Sequence, residues 1–322
     1  MSPAATQPPA RVICIGECMV ELARGSDGRF GLAYGGDTYN TAVYLARCGI
    51  PTAYATLLGD DPYSQGILDL ARAEDVATDL IGVIAGRSAG LYMIETAANG
   101  ERSFHYWRDR APARELFNGE AAFAVAAAMN SAPLVYLSGI TLSLYDARGL
   151  DVLEAALTAA KSCGAQIAMD SNYRPRGWGG VDGVSRARAT FERFFRRADI
   201  ALPTFDDEQA LWGDATPDAV LTRLRTWGIG EIVLKCGAGG AIIWTAGATT
   251  RVPVPSPVTP LDTTAAGDSF NAAYLGARLR GDAPDAAALA GHGLAAIVIQ
   301  YRGAIVPRSA TAVRPFELKP RS

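Results

Sequence analysis

Apolar residues recur along this chain in two rhythms. Arg11–Gly16 (RVICIG), Thr52–Leu58, Leu134–Ser138, Gln166–Asp170, Ile200–Leu202 and Ile232–Lys235 are short, nearly unbroken apolar runs bounded by turn-forming residues, as expected of strands covered on both faces of a parallel sheet. Helical periodicity fills the spaces between the later runs, in Gly149–Cys163 and Asp218–Trp227. This alternation predicts right-handed βαβ crossovers and one α/β core with helices on both faces. Two helices are predicted earlier. In Gly35–Gly49, Ala42, Leu45 and Ala46 recur at helical spacing until Gly49, and Pro62 opens a second helix with Gly66, Leu70 and Ala73 along its inner face.

Strict alternation appears where the helical pattern is absent. Glu17–Tyr34, interrupted by Gly25, Gly28 and Gly31, reads as short strands, and Leu91–Arg108 reads as a hairpin with Asn99-Gly100 as a type I′ turn. Phe104, Tyr106 and Arg108 then share a face of the return strand, and Tyr92 and Ile94 share one on the outgoing strand. Aromatics beside a cation suit either a hairpin packed on other protein or one folded over a ligand. Gly237, Gly239 and Gly240 separate Ile232–Lys235 from Ala241–Thr245 and predict a tight hairpin, close to a nucleotide or simply structural.

Composition narrows the partners. Among 322 residues, 49% are hydrophobic and 20% charged, with a formal net charge of -3 and no Lys/Arg block, which argues against nucleic acid and for small molecules. Residues 1–10 are polar and Pro/Ala-rich, without a basic segment or an apolar core, and are expected to be a disordered tail. No later run approaches the ~18 apolar residues of a membrane span, so a cytoplasmic protein is expected. Five cysteines without metal-site spacing read as reduced, buried thiols, and two histidines leave little material for a His-rich metal centre or a Ser-His-Asp triad. Neither a Walker A sequence nor G-x-G-x-x-G opening a first βαβ unit occurs.

The chemistry concentrates in Leu261–Arg280, LDTTAAGDSFNAAYLGARLR, where an extended run passes through a turn into an apolar helix. Backbone N–H groups of Ala265, Ala266 and Gly267 at the helix N-terminus lack intrahelical partners and make an anion site with the helix dipole. Asp268 beside that site either caps the helix or takes a proton from an attacking hydroxyl. Ligands of parallel sheets bind beyond the carboxyl ends of the strands, which draws Ser138-Gly139, Asp170–Arg174, Pro203–Glu208 and Cys236–Gly240 toward the same region.

Taken together, these stretches resemble the ribokinase-like carbohydrate kinases, the PfkB family. GGDTYNTAVYLARCG (Gly35–Gly49) followed by LLGDDPYSQG (Leu57–Gly66) is similar to the family's N-terminal signature. DTTAAGD (Asp262–Asp268) is similar to its C-terminal signature D-T-x-G-A-G-D. Asn40, the hairpin ending in Tyr106 and Arg108, DSNYRPRGW (Asp170–Trp178) and LPTFDDE (Leu202–Glu208) most resemble the branch acting on 2-keto-3-deoxygluconate. The resemblance implies a three-layer α/β sandwich, with a mainly parallel sheet over residues 11–315 and a small β lid from about 17–34 and 89–110. It implies ATP and Mg2+, Asp268 as general base, and Ala265, Ala266 and Gly267 as phosphoryl-stabilising donors. Substrate residues would be Gly35, Gly36, Asn40, Tyr92, Tyr106, Arg108, Arg174 and Asp268. Nucleotide residues would be Asn172, Thr204, Lys235, Gly237, Gly240 and Gly267, with Glu208 at magnesium. Two departures stand out: Ala265 replaces the usual Gly, and counting back from Glu208 in the N-x-x-E stretch reaches Phe205.

Arg108 and Arg174 point to a carboxylated sugar, because an arginine fork binds a carboxylate by two hydrogen bonds. A pairing with a neighbouring acid such as Asp109 or Asp170 is the alternative. A fructokinase, ribokinase or nucleoside kinase keeps the fold but gives no reason for two arginines. A non-catalytic sugar-binding regulator is disfavoured by the Gly267-Asp268 pair, and a dehydrogenase by the missing glycine fingerprint. Exposed lid edges and aromatics predict a homo-oligomer built on dimers.

Overall fold

The computed structural model describes residues 10–25, 27–96 and 102–312. Fourteen strands lie among them: β1 (Val12–Ile15), β2 (Met19–Arg24), β3 (Phe30–Gly35), β4 (Thr52–Gly59), β5 (Val76–Ala77), β6 (Ile81–Ile84), β7 (Leu91–Thr96), β8 (Arg102–Trp107), β9 (Leu134–Ser138), β10 (Gln166–Asp170), β11 (Ile200–Ala201), β12 (Glu231–Lys235), β13 (Ala241–Thr245) and β14 (Ala248–Val252). The central sheet runs β14-β13-β12-β11-β10-β9-β1-β4-β5, with β6 also paired to β4. It is parallel except for the β12-β13-β14 meander at one edge.

The apolar runs are unbroken because both faces are covered. Ile13, Ile15, Val135, Leu137, Ile167 and Met169 point into one core. Their neighbours Val12, Cys14, Leu134, Tyr136 and Ala168 point into the other, as the two-residue period of a strand requires. A second sheet, β3-β2-β7-β8, has its own small core of Met19, Tyr92 and Ile94. The strands of this sheet fall within or at the edge of the two segments expected to form a lid, and Tyr92 pairs with Tyr106 across β7 and β8, their rings 5.9 Å apart. The Asn99-Gly100 turn lies outside the described residues, as do residues 1–9.

Helix limits follow local chemistry. Asp61 caps the Pro62–Ala73 helix by accepting from Tyr63 N (2.9 Å) and Ser64 N (3.2 Å). The Asp37–Arg47 helix is followed by Gly49 at φ 78°, a left-handed residue past its end. The inner face expected of the Pro62 helix is corrected: Ser64, Ile67 and Ala71 are buried, whereas Ala73 is exposed. Gly66 instead makes room for the lid, since a Cβ there would lie 2.0 Å from the Tyr34 hydroxyl. All five cysteines are free, but only Cys14 and Cys18 are buried as expected; Cys48 and Cys236 are half-buried, and Cys163 is exposed, because it follows the last turn of a helix. No helix among the described residues is long and apolar enough to cross a membrane.

Candidate active site

The turn before the Ala266–Leu279 helix is built by Asp262. Its buried carboxylate accepts from Thr264 N (2.9 Å) and Thr264 Oγ1 (2.6 Å) through Oδ1, and from Gly303 N (2.9 Å) through Oδ2. Held this way, the chain enters the helix through Ala265 at φ 58°, ψ 15°, the left-handed conformation that glycine takes most readily. Ala266 N donates to Thr263 O (3.2 Å), which corrects the expectation of three unengaged donors. The N–H groups of Ala265 and Gly267 have no partner among the described hydrogen bonds.

Asp268 is joined to the Asp37–Arg47 helix. Asn40 Nδ2 donates to Asp268 Oδ2 (2.8 Å), and Thr41 Oγ1 donates to Asp268 O (3.3 Å). Burial together with the nearby Asp37 and Asp170 charges pushes the Asp268 carboxyl up to about 8, against the opposing effects of Asn40 and Lys235. Lys235 Nζ donates to Asp170 Oδ2 (2.7 Å) and Asn271 Oδ1 (3.0 Å), and Asn271 Nδ2 bridges to Tyr136 OH (3.0 Å) and Asp170 Oδ2 (2.5 Å). Asn172, at φ 31°, donates from Nδ2 to Asp37 Oδ2 (2.7 Å). Residues of three strands, Tyr136 of β9, Asp170 of β10 and Lys235 of β12, therefore meet the first turns of two helices in one polar network.

Beside it opens a cavity of about 420 Å³, lined by Thr204, Lys235, Gly237, Gly240, Gly267 and His292 and walled mainly by apolar residues such as Val254, Val258 and Ile299. Five of the six expected nucleotide residues line it. Asn172 does not, since its amide is turned to Asp37. The Gly hairpin is required sterically, because a Cβ at Gly240 (φ 87°) would lie 2.3 Å from Val252 O. Glu208, expected at magnesium, is fully buried, its Oε2 accepts from Arg223 Nη2 (2.7 Å), and it does not line the cavity. Among the described residues no cluster of three His, Cys, Asp or Glu groups could hold a metal.

The small sheet meets the Asn40 end of the network at Gly35. Gly35 lies against Tyr92, where a Cβ would be 3.0 Å from the hydroxyl, and Gly36 N donates weakly to Asn40 Oδ1 (3.4 Å). The missing side chain of Gly36 makes room for the protein itself rather than a ligand, since a Cβ there would lie 2.0 Å from Glu17 O. Tyr92 donates a short hydrogen bond to buried Glu21. Arg108 pairs with Glu17, which is 2% exposed, and Arg174 pairs with Asp207 (2.8 Å) while 55% of its side chain stays exposed. The partners Asp109 and Asp170 considered from the sequence are thus replaced by Glu17 and Asp207. Burial raises the Tyr106 phenol, and Arg108, Arg174 and Arg176 act on it in the opposite sense. Arg176 lies 5.1 Å from the Tyr106 ring centroid and donates to Phe104 O (3.0 Å).

Comparison with known proteins follows this geometry closely. The model of the pfkB family carbohydrate kinases matches residues 9–311. The chain belongs to that family. Within it, the 2-dehydro-3-deoxygluconokinase of Escherichia coli (strain K12) is 40% identical over 309 residues, covering 93% of this chain and 98% of that protein. Two solved structures share the fold. The 2-dehydro-3-deoxygluconokinase of Thermotoga maritima has a TM-score of 0.80 at 21% identity and covers 92% of this chain and 94% of its own. The fructokinase of Xylella fastidiosa with bound ATP has a TM-score of 0.78 at 23% identity, covering 93% and 94%. For a pfkB kinase, sequence reasoning missed Glu17, Glu21, Asp37, Asp262 and Arg176 as site-building residues. The run GECMVEL (Gly16–Leu22) carried a signal, because two acids in an otherwise apolar strand are costly unless each has a partner.

Proposed function

We propose that this pfkB kinase uses ATP to phosphorylate the terminal hydroxyl of 2-keto-3-deoxy-D-gluconate (2-dehydro-3-deoxygluconate), giving the 6-phosphate. The position of Asp268 carries the reading. Its neighbour Gly267 lines the apolar-walled cavity that suits a nucleotide, while its carboxylate is held by Asn40 on the side closed by the lid. The 40% identity to a curated kinase of that acid, over nearly the whole chain, supports the substrate.

ATP supplies the phosphoryl group. Asp268 accepts the proton of the attacking hydroxyl, and a carboxyl pushed up to about 8 is a stronger base than an ordinary aspartate. The N–H groups of Ala265 and Gly267, at the positive end of a fourteen-residue helix, stabilise negative charge on the group in transfer. Lys235 keeps Asp170 neutralised beside it, so the carboxylates do not repel an incoming phosphate unopposed. Any magnesium arrives on the nucleotide phosphates, the usual way this ion is held where protein ligands are few.

On the lid side, Tyr92 and Tyr106 cover the carbon chain, and Arg108 and Arg174 take the substrate carboxylate. The test is a panel of ATP-coupled assays on ketodeoxygluconate, fructose, ribose and adenosine. The acid is expected to be the preferred acceptor. Equal phosphorylation of fructose would remove the carboxylate assignment.

A further inference from the structure

Lys235 ends β12 with its ammonium inside the protein, and only 9% of its side chain reaches solvent. A buried ammonium is costly unless its charge and its three N–H donors are used. Two donors are committed, to Asp170 Oδ2 (2.7 Å) and Asn271 Oδ1 (3.0 Å), and the third has no partner among the described residues. Asp170 does not need the lysine to complete its hydrogen bonds, since it also accepts from Asn271 Nδ2 (2.5 Å) and from Asn172 N (3.1 Å). Lys235 borders the cavity assigned to the nucleotide, and among the described residues lining that cavity it is the only lysine or arginine. Its Nζ would stand 3.6 Å from a Cβ placed on Gly267, so the ammonium lies against the first turn of the Ala266–Leu279 helix, at a residue whose N–H no described hydrogen bond takes.

We propose that Lys235 is a catalytic residue of the kinase: its charge and its third N–H act on the phosphoryl group as that group passes from ATP to the sugar. The proposal rests on the reading of the cavity as the nucleotide site and of Asp268 as base. In the step, the acceptor oxygen bonds to the γ-phosphorus while the bond from that phosphorus to the β–γ bridging oxygen breaks, and the electron pair of the broken bond leaves on ADP. The hydroxyl proton passes to Asp268, and Lys235 keeps all three of its own. Negative charge shifts among the phosphate oxygens during this transfer, and an ammonium fixed in a site shielded from water acts on it more strongly than an exposed one. The fixing is visible at both ends of the side chain. Lys235 N donates to Pro203 O (2.8 Å) and the residue pairs with Ala241 in the sheet, while Asp170 and Asn271 hold the head. Charge balance alone is the competing role, in which Lys235 serves only to offset buried Asp170.

Initial-rate kinetics on Lys235→Met, Asp170→Asn and the double variant separate the two roles. Lys235→Met is expected to lower kcat by about 100-fold or more while the KM of the sugar stays within about threefold, because the lysine faces the nucleotide cavity. The double variant lacks both the ammonium and the charge it would offset. Its kcat is expected to lie at least about 30-fold below that of Asp170→Asn alone, and a kcat within about threefold of Asp170→Asn would overturn the proposal and leave Lys235 as a counter-ion. Lys235→Gln is the further variant, should Lys235→Met not fold or should Asp170→Asn turn over too slowly to compare. Its amide can still donate to Asp170 but carries no charge, so kcat should fall as in Lys235→Met, and a kcat within about threefold of the wild type would equally overturn the proposal. Any acceptor that the wild type phosphorylates serves for these rates. A wild type that rejects the keto acid would therefore refute the substrate assignment alone, since kinetics with the sugar it does accept would still decide the role of Lys235.

Discussion

Ala265 adopts a backbone conformation that L-residues resist, at the position where the wider family has glycine. The methyl group costs about 1 kcal/mol in the left-handed region, offset in part by the smaller chain entropy of alanine when unfolded. Ala265→Gly is therefore expected to stabilise the fold by about 0.5 to 1 kcal/mol, read as a higher denaturant midpoint at unchanged slope. A lower midpoint would mean that the turn is not strained. Asp268 carries the opposite kind of tension. Its carboxyl is held near 8 in the folded protein against an ordinary value of 3.8, so the folded state binds that proton more tightly than the unfolded chain. The stability this group contributes is complete below its unfolded value and is lost as pH rises through the folded one. Asp268→Asn should then melt progressively higher than the wild type as pH is raised from about 5 to about 9, while turnover falls by on the order of 100-fold to 10,000-fold. Retention of turnover within about tenfold would make Asp268 a helix cap and not the base.

At the scale of elements, the small sheet is fastened to the body at two points along β8 and just past it. Arg108 meets Glu17 where β8 and β2 leave the body, and Arg176 reaches up from the short 3-10 helix Pro175–Trp178 to Phe104 and Tyr106 on β8. Arg176→Ala should loosen closure over the acid. The expected result in initial-rate kinetics is a KM for the sugar acid raised by roughly tenfold with that for ATP nearly unchanged, and Arg176→Lys should recover only part because it lacks the planar fork. Equal changes for both substrates would show that Arg176 serves folding instead. Arg174→Ala should raise the KM for the acid by at least about tenfold with little loss of stability, because its side chain is more than half exposed. Much of this architecture was legible in the chain. Leu134–Ser138 and Gln166–Asp170 appear at their expected limits because fully covered strands are uninterrupted in sequence. The inner face of the Pro62–Ala73 helix was misread because Gly66 packs on a lid tyrosine, and the partners of Arg108 and Arg174 were misread because Glu17 and Asp207 become their neighbours only through the fold. Periodicity reports which face is buried, and carries no information on which distant acid meets which base.

For the whole molecule, the lid has a cost beyond closure. Its sheet ends in two open edges, β3 and β8, and leaves Phe30 (42%), Leu32 (51%) and Trp107 (57%) in contact with water. A second copy would cover them, and light scattering is expected to report a homo-oligomer built on dimers that Leu32→Glu weakens. A monomer at every concentration would refute this without touching the chemistry. The site also depends on contacts between parts of the chain made at very different times. Asn40 and Asp268 are separated by 228 positions, and Tyr44, four residues after Asn40, is pinned by donating to Ala304 O (2.7 Å) and accepting from Val306 N (3.2 Å). Because Gly303 also secures Asp262, the segment around residues 303–306 closes the turn that leads to Asp268. A ribosome therefore releases most of this protein before the reaction centre can exist, and a nascent chain that stalls short of Gly303 lacks the donor that secures the turn leading to Asp268.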